Sequence, residues 1–219
     1  MFIAVVPAYN EEKKIGSVVQ SLFGHVDQVV VVDDASPDNT FQIAKDAGAV
    51  VLRHGINRGQ GAALQTGHDY ALKNNAEYVL HFDGDGQFCV EDILPALNKM
   101  KESSYDVLFG SRFLGKKSNI PWLKRFVLFP MARIFNKMSG VYLTDIHNGF
   151  RILNKKALEV LKIEQDRMAH ATEIPVKVKK LGLKYVEFPV KVVYHEYGQG
   201  IGNGLSVAKD LLFGKFLKK

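Results

Sequence analysis

The sequence predicts an α/β protein in which a mostly parallel sheet carries helices on both faces. Short apolar runs rich in β-branched residues alternate with helix-length segments through the first half of the chain. The runs show little alternation of polar and apolar residues, which is typical of strands buried on both faces of a parallel sheet. Helices must then cover both faces, because an apolar sheet face is stable only when another layer packs on it.

Five apolar runs predict the strands of the first half, and these lie at residues 2–6, 28–33, 49–54, 77–82 and 106–111. The segments between them predict helices, and these lie within residues 10–24, 36–48, 61–73 and 90–100. The first helical segment has apolar residues at helical spacing, namely Ile15, Val18, Val19 and Leu22. The second begins with residues that cap helices and ends at Gly48.

The pattern changes after residue 112. Residues 119–143 mix bulky apolar side chains with lysine and arginine, and Pro130 is expected to divide this segment into two short helices. The later elements are a helix at residues 168–181, a strand at 184–194 and a glycine-rich C-terminal extension. We expect one domain over residues 1–219, in which residues 1–112 form a nucleotide-binding half.

The composition of the 219-residue chain limits its partners. A formal charge of +6 favours an acidic partner, such as a nucleotide or a phospholipid surface. Nucleic acid is disfavoured, because no basic tract is interleaved with aromatic residues as in known binding modules. The single cysteine, Cys89, excludes an intrachain disulfide and fits a reducing compartment. We expect neither a signal peptide nor a transmembrane helix, since the chain starts with a strand and has no apolar run long enough to span a bilayer.

Two phosphate-binding motifs are absent from the sequence. The stretch "GQGAALQTG" at residues 59–67 follows a predicted strand, as a dinucleotide-binding loop would. The motif G-x-G-x-x-G requires a small residue at position 64, where this chain has Leu64. The P-loop motif G-x-x-x-x-G-K-[ST] does not occur. These observations argue against NAD binding and against P-loop chemistry.

An acidic loop, "DGDGQ", follows the fourth predicted strand. Asp83 and Asp85 repel each other unless a cation lies between them, and a turn can direct both carboxylates to one ion. Oxygen ligands suit Mg²⁺ or Mn²⁺, which often complete their coordination with water and substrate phosphates. The alternative is a solvated Asp-Gly turn.

Other motifs stand in order around this loop: "VVPAYNEE", "VVDDASPDNT", "NRGQGAALQTG" and "FGSR", then "TDIHNGFR" and "FPVKVVYHE". With them, the chain resembles the family 2 inverting glycosyltransferases, which have a GT-A (Rossmann-like) fold. Within that family it is most similar to the dolichyl- or polyprenyl-phosphate sugar transferases. The resemblance covers nearly the whole chain and makes residues 113–219 the acceptor half.

The resemblance implies a site for a nucleotide-diphosphate sugar. Residues implied to line the nucleotide pocket are Pro7, Ala8, Tyr9 and Glu11, with Tyr9 against the base. Asp34 would accept a hydrogen bond from the base, although Asp33 and Asp34 could instead cap the next helix. Arg58 and Gly61 would approach the ribose or pyrophosphate. The implied cation ligands are Asp83, Asp85 and Gln87. Gln60 stands where relatives often carry lysine.

The acceptor side leaves two possibilities open. A lipid phosphate is already anionic, so positioning by cations is enough, and the candidates are Arg112, Arg125 and Arg151. A hydroxyl acceptor requires a base, for which Glu173 is the candidate. The histidines at positions 147, 170 and 195 lack the spacing of zinc ligands, and we expect His147 and His170 to be structural. The "YHEYGQG" loop departs from the usual lipid-phosphate transferases, and residues 198–204 form either a flap over the donor or a plain flexible loop.

The resemblance therefore implies a metal-dependent, inverting transferase that uses Mg²⁺ or Mn²⁺ and a GDP- or UDP-linked sugar. The expected acceptor is a polyprenyl (dolichyl or undecaprenyl) phosphate, and the alternatives are a saccharide hydroxyl or a non-catalytic binding subunit. Residues 119–143 form a basic, amphipathic segment that would dock on a membrane surface, directly or beside a membrane partner protein. Two core helices or a dimer interface are the alternatives for this segment. We expect the protein at the cytoplasmic face of a membrane.

Overall fold

The computed structural model describes residues 1–115 and 140–193, which form a seven-stranded sheet with helices on both faces. The strands are β1 (Phe2–Ala8), β2 (Gln28–Asp33), β3 (Val50–Arg53), β4 (Tyr78–His81), β5 (Val107–Ser111), β6 (Arg151–Asn154) and β7 (Tyr185–Pro189). The helices are α1 (Ile15–Leu22), α2 (Thr40–Asp46), α3 (Gln60–Lys73), α4 (Ile93–Glu102), α5 (Lys155–Val160) and α6 (His170–Lys180). The predicted α/β architecture is confirmed.

The strands of the sheet follow the order β3-β2-β1-β4-β6-β5-β7. The pairs β1–β2, β2–β3, β1–β4 and β5–β7 are parallel, whereas β6 runs antiparallel to β4 and β5. The carboxyl ends of the other strands therefore meet at one edge, and β6 begins at that same edge. His81 at the end of β4 consequently lies opposite Arg151 at the start of β6.

Two apolar clusters lie on the two faces of the sheet, which explains the uninterrupted apolar runs. Ala4 and Val6 of β1 belong to the cluster under α1, α2 and α4. Ile3 and Val5 belong to the cluster under α3, α5 and α6. Successive side chains of a strand point to opposite faces, so β1 needs apolar residues at every position.

Two elements differ from the sequence prediction. Strand β6 was not expected, because "HNGFRIL" opens with polar residues and carries Arg151 in an otherwise short apolar run. The six-residue helix α5 was also not expected, since it is too short to show helical periodicity. The strand predicted at 184–194 ends at Pro189, after which Val192 forms an isolated bridge with Phe88.

Some predictions fall on residues outside those described. The proposed membrane-docking segment 119–143 is described only from residue 140, and Arg125 is therefore not covered. His195 and the glycine-rich residues 198–204 also lie outside the described ranges. Across residues 1–115 and 140–193, none of the helices combines the length and apolarity needed to cross a bilayer. The division into two halves at residue 112 stays a prediction.

Candidate active site

Hydrogen bonds join the loops that follow β1 and β2. The amide of Asn10 donates to Ser36 Oγ at 3.1 Å, and the amide of Glu11 donates to Thr40 Oγ1 at 2.9 Å. Each loop turns through a residue in the left-handed region, with φ of 59° at Asn10 and 61° at Ala35. Such conformations are uncommon outside glycine and concentrate at functional sites. The two loops are therefore held together at the carboxyl edge of the sheet.

The acidic loop packs directly against the end of β1. A Cβ on Gly84 would lie 3.3 Å from the carbonyl oxygen of Pro7, so a small residue fits best there. Asp85 Oδ1 accepts a hydrogen bond from the amide of Gln87 at 3.0 Å, which closes a short turn. Asp85 lies close enough to Asp83 for its charge to raise the pKa of that carboxyl. The role of Gln87 as a cation ligand stays a prediction.

The carboxylate of Asp83 is held from two sides. Gln60 Nε2, on the first residue of α3, donates a hydrogen bond to Asp83 Oδ1 at 2.9 Å. Gly149 lies against the carboxylate: a Cβ there would be 2.8 Å from Oδ1, 2.9 Å from Cγ and closer still to Oδ2. Only glycine leaves the carboxylate in this position. Gln60 and Gly149 were not predicted to shape the site, because nothing in the sequence shows which side chain faces Asp83.

Negative charge accumulates at this loop. Burial raises the pKa of Asp83 to about 7, and repulsion by Asp85 adds to the rise, whereas Arg151, the hydrogen bond from Gln60, and Arg112 lower it. Burial also raises the pKa of Glu11, and Asp85 contributes to that rise. A divalent cation would offset this repulsion, and the oxygen donors suit Mg²⁺ or Mn²⁺. Within the described residues no group of three His, Cys, Asp or Glu side chains could hold a metal ion. A cation bound by Asp83 and Asp85 would therefore take most of its remaining ligands from phosphate and water.

Arg112 is oriented by an acid that the sequence interpretation missed. Its Nε donates to Asp145 Oδ2 at 2.6 Å, its Nη2 to Asp145 Oδ1 at 2.7 Å, and its amide to Oδ2 at 3.1 Å. The loop carrying Asp145 is held in turn by Glu187, which accepts from Thr144 N at 2.7 Å and Oγ1 at 2.8 Å. Bidentate pairing fixes the plane of the guanidinium. Arg112 is thereby pre-oriented, and the charge it places near Asp83 is felt by that carboxyl.

Arg151 lies inside the protein rather than at its surface. Only 1% of the residue is exposed, and burial lowers its pKa to about 10 despite the opposing charges of Asp83 and Asp145. Its Nη2 donates to the carbonyl of Ile146 at 3.4 Å, while its Nε has no hydrogen-bond partner among the described residues. The charge of Arg151 therefore lies near those of Asp83 and Asp145 inside the protein, and its contact with an acceptor stays a prediction.

Asp34 clamps the loop between β3 and α3. Its Oδ1 accepts from His54 Nδ1 at 2.7 Å and from the amide of Arg58 at 2.9 Å, and its Oδ2 accepts from the amide of Gly59 at 2.6 Å. Asp34 thus holds the loop that leads into α3 and does not cap the next helix, α2, and its contact with a base stays a prediction. Tyr9 directly follows β1, and 46% of the residue is exposed.

Gly61 packs against protein backbone, and its approach to the ribose or pyrophosphate of a donor stays a prediction. It is buried against the carbonyl oxygen of Gln165, and the amide of Ala62 donates to the carbonyl of Asp166 at 3.0 Å. The first turn of α3 is thus covered by protein backbone, and the missing side chain serves that packing. Arg58 lines an open surface cavity of about 480 Å³. The cavity is lined by Ile56, Asn57, Arg58, Gln165, Asp166, Arg167 and Ala169.

Glu173 braces the loop before α6. Its carboxylate accepts from the amides of Glu164 at 3.0 Å and Gln165 at 2.9 Å, and it pairs with Lys177 at 2.8 Å. These contacts account for an acidic residue in the first turn of α6, and its role as a general base stays a prediction.

Two histidines, His68 of α3 and His81 of β4, lie buried against each other. His68 and His81 are buried and stacked, with their Nε2 atoms 2.6 Å apart. Burial lowers the pKa of His68 to about 4 and that of His81 well below its usual value, so both are neutral and one Nε2–H donates to the other. Burial also lowers the pKa of His170 to about 4 and that of His147. These environments agree with structural roles.

The sequence matches the model of one protein family, described as glycosyl transferase family 2, over residues 3–162. An uncharacterized protein of Methanocaldococcus jannaschii, MJ1222, is 36% identical, with 98% of this chain and 90% of the relative covered. The UDP-N-acetylglucosamine–dolichyl-phosphate N-acetylglucosaminyltransferase of Methanococcus voltae is 30% identical, with 98% of this chain and 94% of the relative covered.

The fold is also similar to solved structures. One is the glucosyl-3-phosphoglycerate synthase of Mycobacterium tuberculosis in complex with Mn²⁺, UDP-glucose and phosphoglyceric acid, which aligns with a TM-score of 0.75. The alignment covers 97% of this chain and 76% of that chain at 18% identity. At this level of identity the likeness concerns the fold, and it agrees with the expected GT-A architecture.

Proposed function

The chain belongs to the family 2 glycosyltransferases, and from this membership we propose a metal-dependent, inverting transfer of a sugar from a nucleoside diphosphate to a polyprenyl phosphate. The observation that carries the proposal is the pair Asp83 and Asp85 at the carboxyl edge of the sheet, with Arg112 close enough to lower the pKa of Asp83. A cation site and an anion site then lie side by side, as transfer between two phosphates requires.

Asp83 and Asp85 would hold the cation, Mg²⁺ or Mn²⁺, through carboxylate oxygens. Two observations support a hard divalent cation at this pair. Both side chains offer only oxygen ligands, and Gly149, which has no side chain, leaves room for the Asp83 carboxylate. When bound, the cation stabilises the negative charge that builds on the leaving diphosphate. The solved structure with a similar fold holds Mn²⁺ together with UDP-glucose, which supports testing this pair first. Tyr9, exposed at the end of β1, would pack against the base.

A phosphate acceptor suits the residues near Arg112. Its oxygen is anionic at neutral pH, so the chain needs to position it rather than remove a proton from it. Arg112, whose Nε and Nη2 are held by Asp145, would attract the phosphate through its positive charge. Glu173, the candidate base for a hydroxyl acceptor, instead braces residues 164–165 and pairs with Lys177. A single attack from the face opposite the diphosphate inverts the anomeric centre.

The lipid acceptor is supported by the relative that acts on dolichyl phosphate, as its name states, and that this chain matches over 98% of its length. We propose UDP-N-acetylglucosamine as the first donor to test for the same reason. A lipid acceptor places the enzyme at a membrane surface, where residues 119–143 would dock, alone or with a membrane partner. The donor's origin in the cytoplasm would put it on the cytoplasmic face.

The test is transfer of radiolabelled sugar from UDP-N-acetylglucosamine, UDP-glucose or GDP-mannose to a short polyprenyl phosphate, with Mn²⁺ or EDTA. We expect label in the organic phase with one donor and Mn²⁺, and none with EDTA or with Asp85→Asn. Label that reaches only a saccharide acceptor would refute the lipid phosphate. Absence of transfer to both acceptor classes, with every donor, would favour a binding subunit.

A further inference from the structure

Gln60 has a contact that the proposed mechanism does not use. Its Nε2 lies 2.9 Å from Asp83 Oδ1, and the side chain is partly buried. A carboxylate only accepts hydrogen bonds, so the NH₂ group of the amide must face Asp83. This bond fixes the direction of Oδ1, and the other oxygen, Oδ2, lies against Gly149.

The backbone on both sides of Gln60 is immobilised. On one side the amide of Gly59 donates to Asp34 Oδ2 at 2.6 Å. On the other side the amide of Ala62 donates to the carbonyl of Asp166 at 3.0 Å. Gly59 has φ of 107°, a conformation that residues with side chains rarely adopt, and a Cβ there would lie 2.7 Å from the carbonyl oxygen of Asp166, so the entry into α3 is closely packed. The reach of the Gln60 side chain toward Asp83 is therefore set by the fold.

Gln60 is also neutral, and this matters because acids surround it. Asp85 repels both Asp83 and Glu11, so the loop carries an excess of negative charge. Lysine, which relatives often carry at this position, is long enough to make the same contact, but it adds a positive charge beside the cation site, and this chain differs from those relatives in leaving that charge out. A glutamine holds the carboxylate without competing with a divalent cation for it.

We propose that Gln60 is a positioning residue for the cation site, which orients the Asp83 carboxylate while leaving its charge available to a divalent ion. This inference rests on the proposed function, because it concerns the same Asp83–Asp85 pair. It goes beyond the proposed function because it states that Gln60, a residue outside the acidic loop, contributes to the affinity for the metal ion.

The test measures Mn²⁺ affinity directly, by the loss of the free Mn²⁺ signal in electron paramagnetic resonance, with UDP present. Gln60→Met keeps the length of the side chain and removes the hydrogen bond, and Gln60→Lys keeps a donor and adds a charge. Gln42→Lys is the matched control, because Gln42 donates to Asp46 at 2.7 Å on the exposed face of α2. Thermal unfolding of each variant shows whether it is folded.

We expect Gln60→Met to bind Mn²⁺ roughly threefold more weakly, the value of a single modest hydrogen bond. Gln60→Lys should bind at least about tenfold more weakly, because a like charge lies within a few ångströms of the ion. Gln42→Lys should bind as the wild type does. Equal affinities for wild type and Gln60→Met would overturn the positioning role, and equal affinities for the two Gln60 variants would overturn the charge argument.

Failure of the proposed function gives a different result. The cation site would be refuted, and this inference with it, by either of two results. The first is wild-type protein that binds no Mn²⁺ even with UDP, and the second is an Asp85→Asn variant that binds Mn²⁺ as tightly as the wild type. A role in packing alone predicts that Met and Lys at position 60 have the same effect on Mn²⁺ affinity.

Discussion

Gly149→Ala should damage the cation site without unfolding the protein. Ordinary van der Waals contact begins near 3.4 Å, whereas the new Cβ would lie 2.9 Å from Asp83 Cγ. The carboxylate must therefore move by about half an ångström or more, out of the position that Gln60 and the loop give it. Displacements of about an ångström cost enzymes on the order of a hundredfold in rate. We expect a loss between about tenfold and a hundredfold in kcat.

The assay is sugar transfer at saturating donor with a titration of Mn²⁺, so that changes in kcat and in metal affinity are separated. Gly55→Ala is the matched control, because a Cβ at Gly55 meets nothing within 4 Å and that loop is exposed. Both variants should unfold at nearly the wild-type temperature. Gly149→Ala with kcat within about threefold of the wild type, a difference below 1 kcal/mol, would refute the argument that Asp83 needs this space.

Further predictions concern the same edge of the sheet. Asp85→Asn should lose more than about tenfold in activity at unchanged fold, measured by transfer rate and circular dichroism, and retained activity would exclude Asp85 as a principal ligand. Asp145→Asn should raise KM for the acceptor more than for the donor, because it releases one side of Arg112; equal effects on both would place Arg112 at the donor. The pKa of Asp83 is raised to about 7, so its carboxyl is protonated below that pH and Mn²⁺ must displace the proton. The affinity for Mn²⁺, measured by calorimetry, should therefore rise by up to about tenfold per pH unit until about pH 7 and then level off. An affinity that does not change between pH 5 and 8 would contradict this. Wild-type protein should float with anionic liposomes at low salt, whereas a variant with residues Phe126 and Phe129 changed to serine should not; wild type that stays unbound would contradict docking by residues 119–143.

The sequence predicted those features that depend on local pattern. Uninterrupted apolar runs identified β1 to β5, and the polar residues after them identified the edge where Asp83 and Asp85 lie. The sheet order and β6 depend on long-range pairing, for which the run from Arg151 to Asn154 gives too short a signal.

The side-chain partners within the site could not be predicted in the same way. Arg112 and Arg151 look alike as sequence candidates for an anion, but the structure pairs one with Asp145 and buries the other. Gly61 and Gly149 are both placed by contacts with residues far away in the chain. Asp145 stands within the motif "TDIHNGFR", and an acidic residue in the same motif as Arg151 was the available signal.

The central claim is transfer from a nucleoside diphosphate to a polyprenyl phosphate with inversion. Its most direct test is the chemical identity of the product, isolated from a reaction with Mn²⁺ and analysed by mass spectrometry and NMR. The account predicts a lipid heavier by one sugar residue, joined through phosphate, with the anomeric configuration opposite to that of the donor. A product that retains the donor's configuration, or a sugar attached to a hydroxyl instead of the lipid phosphate, would contradict it.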